Sequence, residues 1–496
     1  MTSTPTASLG LAALGLVLGL ALASPSAYAT EKKSVTEEIL EILKASGTIS
    51  DAKYNELLER AEAEESAREE AAQAAAAPAE IPTDSSAKDD PTGWTVKWSN
   101  GTKIERNDGE YKLKFGGRVM LDMAQIWADR NLRQTLATTN RDDNGTGFGV
   151  EIRRARIFAQ GTLYKRFFFK ASYEFGGTRN GGNAVEPKDI YMGMKKVGPL
   201  GTVRIGHMKE DFSLEEMTSS KYLVFMERGL PAVFNPVRNW GINAYNTFLD
   251  GRLRYALGGY RQTNESGFGF GGSNTTSYHI TGRLTGLPYW EDGGKKLIHL
   301  GLNYSHQFTS SGGATGLGYG ERPEAHLALR YVNTGRLSAV PVDAVDLFTT
   351  EFAANWNSLA FQSEWQAALL DRRGADDVLL WGIYGQAGWF ITGEHRNYSQ
   401  KYANFGRTQL NSTFDPRAGT WGAFEIAARV SYLDLNDHDI RGGRLFDVTA
   451  GVNWYLWPNV RIMANYIHSI LMGRAAGASP GKGDGDLFQM RLQLDF

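Results

Sequence analysis

The last ten residues of the chain alternate between apolar and polar side chains. Phe488, Met490, Leu492, Leu494 and Phe496 share one face of an extended segment, and the residues between them are polar. A repeat of two is the repeat of a β-strand. A strand of about ten such residues that ends on an aromatic side chain is typical of the last strand of a transmembrane β-barrel. The alternative is a half-buried edge strand of a soluble sandwich, and repetition of the pattern decides between the two.

The alternation recurs along the chain. It covers residues 167–175, 424–432, 446–456 and 460–467, and the Trp457-Pro458-Asn459 corner joins the last two segments as a hairpin. No run of the ~20 apolar residues that a membrane helix needs follows the N-terminus. The 57 glycines and the aromatic content of 11% suit many turns and interfacial aromatic girdles. The chain has no cysteine, which excludes disulfides, thiol chemistry and metal sites with cysteine ligands.

These observations predict an all-β fold, a 16-stranded antiparallel transmembrane β-barrel with a short N-terminal periplasmic helical segment. Seventeen segments qualify as strands, but a single-chain barrel with both ends in the periplasm needs an even number. The orientations of the early and the C-terminal hairpins conflict between Gly320 and Asp346, so we place the surplus strand there. The connection from Gly393 to Pro416 is then periplasmic, and we expect it to lie in the lumen.

The N-terminus reads as a secretory signal peptide. An apolar run from Leu9 to Ala23 precedes Ala27-Tyr28-Ala29, a small-x-small cleavage site, so residues 1–29 would be removed. Residues 1–10 contain no lysine or arginine, which departs from the usual positive start of such a peptide. The alternative is a retained membrane anchor.

Residues 30–70 show a helical period instead. Ser34 and Glu37 form a capping box, Gly47 ends the first predicted helix, and Ser50 can cap a second. Residues 71–93 read as a linker, and residues 94–496 as the barrel. We expect the two short helices to self-associate as a coiled coil or to pack under the barrel. A solvated spacer is the alternative.

Basic charge is concentrated in the predicted barrel. Residues 30–90 contain 16 acidic and 7 basic residues, so residues 91–496 contain 46 basic and 39 acidic residues, a net charge of about +7. A ring of charge in a narrow lumen sets the sign of the permeating ion. Alternation turns the following arginines inward: Arg204, Arg252, Arg254, Arg283, Arg330, Arg429, Arg461 and Arg491. The alternative is that they only pair with inward acids, namely Glu174, Asp189, Glu364 and Glu425.

A connection of about thirty residues follows the strand that ends near Gly206, and the next strand begins near Trp240. Connections of this length in a barrel are usually functional. Ser213 and Glu216 form a capping box, which predicts a short helix inside the loop.

Several motifs in and beyond this loop point to one family. They are Lys-x-x-Phe-Ser-Leu-Glu-Glu-x-Thr-Ser-Ser at 209–220, Phe-Met-Glu-Arg at 225–228, Glu-Ile-Arg-Arg-Ala-Arg at 151–156, Gly-Glu-His-Arg-x-Tyr at 393–398, Asp-Leu-Asn-Asp at 434–437 and Asn-Trp-Tyr at 453–455. Together they resemble the phosphate-selective porin O and P family, with matches from about Phe115 to Phe496. The resemblance implies a trimeric outer-membrane porin of sixteen strands, with an inward-folded third loop and a basic track that leads anions to a constriction.

One position departs from the family pattern. Phosphate-selective members are expected to carry a lysine just after the Leu-Glu of the third loop, where it helps to bind phosphate, and this chain has Glu216 there. Lys209, Lys221 and Arg228 lie nearby in sequence. The resemblance therefore implies a preference for anions more firmly than selectivity for phosphate.

We therefore expect an anion-preferring channel for passive uptake of small anionic solutes, in the outer membrane of a Gram-negative bacterium. The pore-lining or anion-binding candidates are Arg153, Arg154, Arg156, Lys170, Arg204, Lys209, Glu216, Lys221, Arg228, Arg252, Arg254, Arg283, Arg330, Arg396 and Arg429. Expected partners are outer-membrane lipid, small anions, further copies in a homotrimer, and the barrel-assembly machinery through the C-terminal Phe496. We expect no nucleic acid, cofactor, metal or catalytic group.

Two other functions stay open from the residues alone. One is an envelope-anchoring barrel that ties a periplasmic interaction segment to a partner. The other is a barrel enzyme, although the eight histidines form no pair with the spacing of a metal site.

Overall fold

The computed structural model describes residues 91–136, 146–176, 185–264, 267–269, 276–310, 312–337, 340–474 and 481–496, together with Lys44, Ser50, Lys53 and Tyr54. The chain forms two compact units, residues 1–75 and 76–496. In the first unit, Ser50 caps a helical turn as predicted. Its Oγ accepts a hydrogen bond from the Lys53 N–H at 3.3 Å, and its carbonyl accepts one from the Tyr54 N–H at 2.9 Å. The predicted signal peptide, first helix and linker lie outside the described residues, apart from Lys44 and residues 91–93.

The second unit is built from β-strands and a few short helices. The strands are β1 (Trp94–Trp98), β2 (Thr102–Arg106), β3 (Lys112–Ala128), β4 (Gly147–Leu163), β5 (Phe167–Glu174), β6 (Glu186–Met194), β7 (Thr202–Lys209), β8 (Arg238–Phe248), β9 (Leu253–Arg261), β10 (Tyr278–Glu291), β11 (Lys296–Phe308), β12 (Gly320–Glu321), β13 (Val332–Asn333), β14 (Val342–Trp356), β15 (Leu359–Arg372), β16 (Val378–Phe390), β17 (Tyr398–Ser399), β18 (Asn404–Phe405), β19 (Phe414–Asp415), β20 (Thr420–Trp421), β21 (Ala423–Asp437), β22 (Ile440–Trp457), β23 (Val460–Arg474) and β24 (Gly483–Asp495). The α-helices are α1 (Arg130–Leu136) and α2 (Leu214–Met217), and 3-10 turns cover Gly198–Leu200, Leu230–Phe234 and Asp292–Gly294.

Sixteen of these strands form a closed antiparallel barrel: β3–β11, β14–β16 and β21–β24. Each pairs with its neighbour in sequence, and β24 closes the barrel against β3 from Gly485–Ala128 to Asp495–Arg118. Phe496 extends this seam, since it exchanges two backbone hydrogen bonds with Gly117, at 2.7 and 3.1 Å. The predicted strand number is confirmed. The surplus segment is accounted for by β12 and β13, two-residue strands that pair only with each other.

The two ends of the barrel differ in their connections. Turns such as residues 164–166, 357–358 and 458–459 lie at one end, and loops such as 129–146, 210–237 and 309–341 lie at the other. Outer-membrane barrels have short periplasmic turns and long extracellular loops, which orients the molecule. The connection 391–422, from β16 to β21, is the long exception at the periplasmic end.

The two faces of the wall separate as the alternation predicts. On β24, Phe488, Leu492 and Leu494 are 40–47% exposed on the outer surface, whereas Gln489 and Arg491 are buried in the lumen. The outer face is apolar because it contacts lipid, and the inner polar groups find hydrogen-bond partners inside the barrel.

Loops fill one side of the lumen near the extracellular end. Leu132 of α1, Phe212 and Phe234 of the loop 210–237, and Tyr331 of the loop 309–341 pack against apolar inward residues of β14–β16 and β21–β23. The periplasmic connection (residues 391–422) also enters the lumen as predicted, because Asn355 donates a hydrogen bond to the Arg396 carbonyl at 2.7 Å.

Candidate functional site

The loop 210–237, here called the inward loop, folds into the lumen. The predicted short helix is present as α2, and its N-cap Ser213 accepts a hydrogen bond from the Glu216 N–H at 3.1 Å. The Ser213 hydroxyl also donates to Glu364 of β15 at 2.6 Å. Since Glu364 faces the lumen, this contact excludes a position of the loop on the outer surface.

Ion pairs hold the inward loop at both ends. Near its start, Asp211 accepts hydrogen bonds from Arg204 of β7 and Arg254 of β9, each at 2.6 Å. Near its end, Glu227 accepts from Arg153 of β4 and Arg491 of β24 at 2.8 Å. Hydrogen bonds to charged groups are among the stronger ones in proteins, so the loop is fixed across the lumen.

A β-bulge in β4 explains how Arg153 reaches the loop. Met120 of β3 pairs with Arg154 and Leu121 pairs with Ile152, so Arg153 is an extra residue in the ladder. Strict alternation would put Arg153 on the face opposite to Arg154. A bulge re-aims side chains, and both arginines consequently point into the lumen.

A cavity of about 620 Å³ lies between the inward loop and the wall formed by β3–β8. This space is called the chamber. Its lining contains thirteen basic residues and two acidic ones. The basic residues are Lys103, Lys112, Lys114, Arg118, Arg154, Arg156, Lys170, Lys195, Arg204, Lys209, Arg228, Arg238 and Lys401, and the acidic residues are Asp189 and Glu216. A lining with this balance of charge attracts anions and repels cations.

Part of this positive charge is compensated by acids, which partly confirms the alternative of ion pairing. Arg156 and Glu174 form a buried pair at 2.7 Å. Lys170 and Arg238 both contact Asp189 at 2.8 Å.

Four other cations of the chamber form no ion pair within the described residues: Lys114, Arg118, Lys195 and Lys401. Arg118 donates instead to the hydroxyls of Ser219 and Ser220 in the inward loop, at 3.3 and 2.8 Å. Lys114 donates to the Ser99 carbonyl at 2.7 Å. Neutral partners leave the net charge of these groups in place, so they carry much of the positive potential of the chamber.

Glu216 lies in the chamber wall and contacts Lys209 at 2.7 Å and Arg228 at 3.0 Å. Burial opposes its ionisation, but the charges of Arg228 and Lys209 outweigh burial and lower the pKa of this loop carboxyl to about 2. Glu216 is therefore ionised at neutral pH and compensates one cation at the end of β7, Lys209, and one in the inward loop, Arg228.

Seven of the candidates predicted from sequence line the chamber: Arg154, Arg156, Lys170, Arg204, Lys209, Glu216 and Arg228. The prediction that Arg252 and Arg330 lie on the inward faces of barrel strands is wrong. Arg252 lies exposed in the turn before β9, and Arg330 lies exposed in the loop 309–341. The alternation around each of them comes from a turn or loop rather than from a barrel strand, so it has no inward face.

The remaining candidates point inward but serve as anchors. Arg153, Arg254, Arg283 and Arg429 bond to Glu227, Asp211, Glu351 and Glu324, respectively. Arg396 donates to Gln362 at 3.0 Å and stacks on Phe405. Lys221 contacts Asp495 at 3.1 Å. These groups hold the loops and the periplasmic connection against the wall, outside the chamber lining.

Sequence reasoning missed seven basic residues of the chamber: Lys103, Lys112, Lys114, Arg118, Lys195, Arg238 and Lys401. Arg118 could have been found, because it shares a face with Asp122 and the inward residues of β3. Lys401 could not, because its position depends on how the periplasmic connection folds back into the lumen.

The closed barrel, the loop across its lumen and the charged chamber define an outer-membrane porin. The chain belongs to the phosphate-selective porin O and P family, whose sequence profile matches residues 123–496. The predicted fold class, family and location in the outer membrane of a Gram-negative bacterium are confirmed.

Individual relatives are distant. The chain is 24% identical over 441 residues to Porin O of Pseudomonas aeruginosa, covering 81% of this chain and 92% of that protein. It is 28% identical over 412 residues to an uncharacterised protein of Caulobacter vibrioides, covering 81% and 77%. Among solved structures it is similar to an anion-selective porin from Comamonas acidovorans, with 13% identity, a TM-score of 0.47 and coverage of 78% and 100%.

Proposed function

We propose that this porin is an anion-preferring channel through which small anionic solutes diffuse across the outer membrane by way of the chamber. The observation that carries the proposal is the lining of thirteen basic and two acidic residues. Anions are concentrated in such a space and cations are depleted. The net charge of about +7 on residues 91–496 has the same sign.

Phosphate is one possible solute because the family is described as phosphate-selective. Glu216 argues against a tight phosphate site on the inward loop, since its carboxylate already forms ion pairs with Lys209 and Arg228. A phosphate dianion at that point would meet a fixed negative charge. We therefore propose passage of small anions without strong selection for phosphate.

Reversal potentials in planar bilayers test this function directly. With a KCl gradient across the membrane, the reversal potential of the wild-type channel should have the sign expected of a channel that is selective for chloride over potassium. Cation selectivity would overturn the proposal. Absence of defined current steps would instead favour an envelope-anchoring barrel, because a barrel with a closed lumen does not conduct.

We further propose that the protein acts as a homotrimer whose contacts come from the apolar outer wall, and that the acidic segment 30–90 is not needed for assembly. Trimeric bands on native gels should survive deletion of residues 30–90. Appearance of monomer alone would assign oligomerisation to the N-terminal segment.

Recognition of the C-terminal Phe496 by the barrel-assembly machinery stays a prediction. Deletion of Phe496 should lower the yield of assembled barrel.

A further inference from the structure

One wall of the chamber carries aromatic rings. Phe168 of β5, Tyr191 of β6, Tyr245 of β8 and Tyr402 of the periplasmic connection all line it. The centroids of Phe168 and Tyr191 are 6.2 Å apart, and those of Tyr245 and Tyr402 are 6.4 Å apart. The guanidinium of Arg204 lies between the two pairs, 5.6 Å from the Tyr191 ring and 5.4 Å from the Tyr245 ring. The four rings and this guanidinium form a continuous strip across the wall.

The strip is held in place by its surroundings. The Phe168 ring lies over Gly193 so closely that a Cβ on that residue would be 2.5 Å from its Cζ. Tyr402 is fixed through its neighbours, because Arg254 donates to the Lys401 carbonyl at 3.2 Å and Arg283 donates to the Ala403 carbonyl at 2.8 Å. Tyr402 as a residue nevertheless stays 44% exposed. A fixed and exposed ring is available to a solute.

The strands next to the strip, β3 and β4, contribute basic side chains to the chamber. They are Lys112, Lys114 and Arg118 of β3 and Arg154 and Arg156 of β4. The chamber therefore offers cations and aromatic faces within one space. Its volume of about 620 Å³ falls within the range of ~300–1,000 Å³ that is typical of small-molecule sites.

We propose that the chamber binds organic anions that carry a ring, with the carboxylate or phosphate against the β3–β4 wall and the ring on the aromatic strip. This inference rests on the proposed anion channel and names its preferred solutes. A small inorganic anion gains nothing from a ring face, whereas a planar organic body stacks on tyrosine and phenylalanine. The ring of the solute is thus the feature that the strip selects.

Block of chloride current tests the preference. Benzoate and acetate carry the same carboxylate and charge at neutral pH but differ in the ring. We expect the concentration of benzoate that halves the chloride current through the wild-type channel to be at least fivefold lower than that of acetate. Equal concentrations would overturn the inference. The KCl reversal potential in the same membranes reports separately on the proposed function, and a cation-selective channel would overturn both.

Two substitutions at Tyr402 locate the effect. Tyr402→Leu should reduce the difference between benzoate and acetate at least threefold, and Tyr402→Phe should retain it because the ring is kept. Tyr173→Leu is the matched control, since Tyr173 is on the outer face of β5 and is 39% exposed there. Heat-modifiable migration on gels confirms that each barrel is assembled. If Tyr402→Leu keeps the full difference, or Tyr173→Leu loses it, the strip is not the binding surface.

Discussion

The carboxylate of Glu227 in the inward loop accepts two parallel hydrogen bonds from the guanidinium of Arg153 on β4, both at 2.8 Å. This two-point contact ties the loop to the β-bulge that turns Arg153 inward. The side chain of Arg153 is only 12% exposed and that of Glu227 only 20%, so the pair is shielded from bulk solvent.

Loss of the Glu227 charge should destabilise the barrel. Glu227→Gln leaves Arg153 without a carboxylate partner and leaves Arg491 with Asp122 alone. An unsatisfied buried polar group costs about 1–3 kcal/mol. We expect a lower unfolding midpoint in detergent and noisier single-channel current, because the loop is less firmly held. Glu291→Gln is the control, since Glu291 is about half exposed beside Lys296 and exposed ion pairs contribute little to stability. Equal midpoints for both variants would contradict this role of Glu227.

Arg118 should contribute to anion selectivity. Its partners in the loop are hydroxyls, so its charge is not neutralised by a carboxylate. A unit charge acts on an ion at 4 Å with about 1 kcal/mol in water and more at lower dielectric, so Arg118→Gln should lower the anion-to-cation permeability ratio severalfold. Arg252→Gln should leave it unchanged because Arg252 is exposed in a turn. Reversal potentials of both variants in a KCl gradient test this prediction. A change of selectivity in Arg252→Gln but not in Arg118→Gln would contradict it and would support the sequence-based prediction that Arg252 lines the pore.

Removal of the Glu216 charge should raise anion selectivity. Glu216→Gln frees the charges of Lys209 and Arg228, which lie 2.7 and 3.0 Å away. Glu216→Lys is a poorer test, since a third cation beside those two would displace the loop. We expect the reversal potential of Glu216→Gln to move toward the chloride limit, and an unchanged value would remove this carboxylate from the permeation path.

Acidification should not reproduce the effect of Glu216→Gln. The pKa of Glu216 is lowered from its usual 4.5 to about 2 by Arg228 and Lys209 against the effect of burial. A lowered pKa means that the ionised form, and the stability it contributes, is retained above the ordinary pKa and lost only as the pH falls toward 2. Selectivity in the Glu216→Gln variant and in the wild type should therefore differ by the same amount at pH 7 and pH 4. Convergence of the two at pH 4 would show that Glu216 is neutral there.

The lysines at the periplasmic side should matter most in dilute salt. The Debye length is about 10 Å at 0.1 M and about 3 Å at 1 M ionic strength. Replacement of Lys114 and Lys401 by glutamine should lower chloride conductance at 0.1 M KCl and have little effect at 1 M. Lys296→Gln provides the control, because Lys296 lies at the periplasmic start of β11 and outside the chamber lining. A loss of conductance that is equal at both salt concentrations would indicate a structural defect instead.

The sequence by itself determined which residues form the two faces of the barrel wall. Alternation on segments such as β24 decides which side chains face lipid and which face the lumen, because a strand that separates oil from water must carry its two kinds of side chain on opposite faces. The same reasoning identified the helix turn at Ser213, since a cap is a local contact between residues close in sequence. The family motifs added the inward position of the loop.

Only the tertiary structure decided which inward charges are available to a solute. Arg283 and Arg154 look alike in sequence, yet Arg283 is buried against Glu351 while Arg154 lines the chamber. Arg252 and Arg330 have the right neighbours but lie outside strands. Lys401 and Tyr402 reach the chamber only because the periplasmic connection folds back into the barrel. Side-chain alternation is a property of neighbours in one strand. Charge compensation and access depend instead on contacts between residues tens to hundreds of positions apart, which no local pattern records.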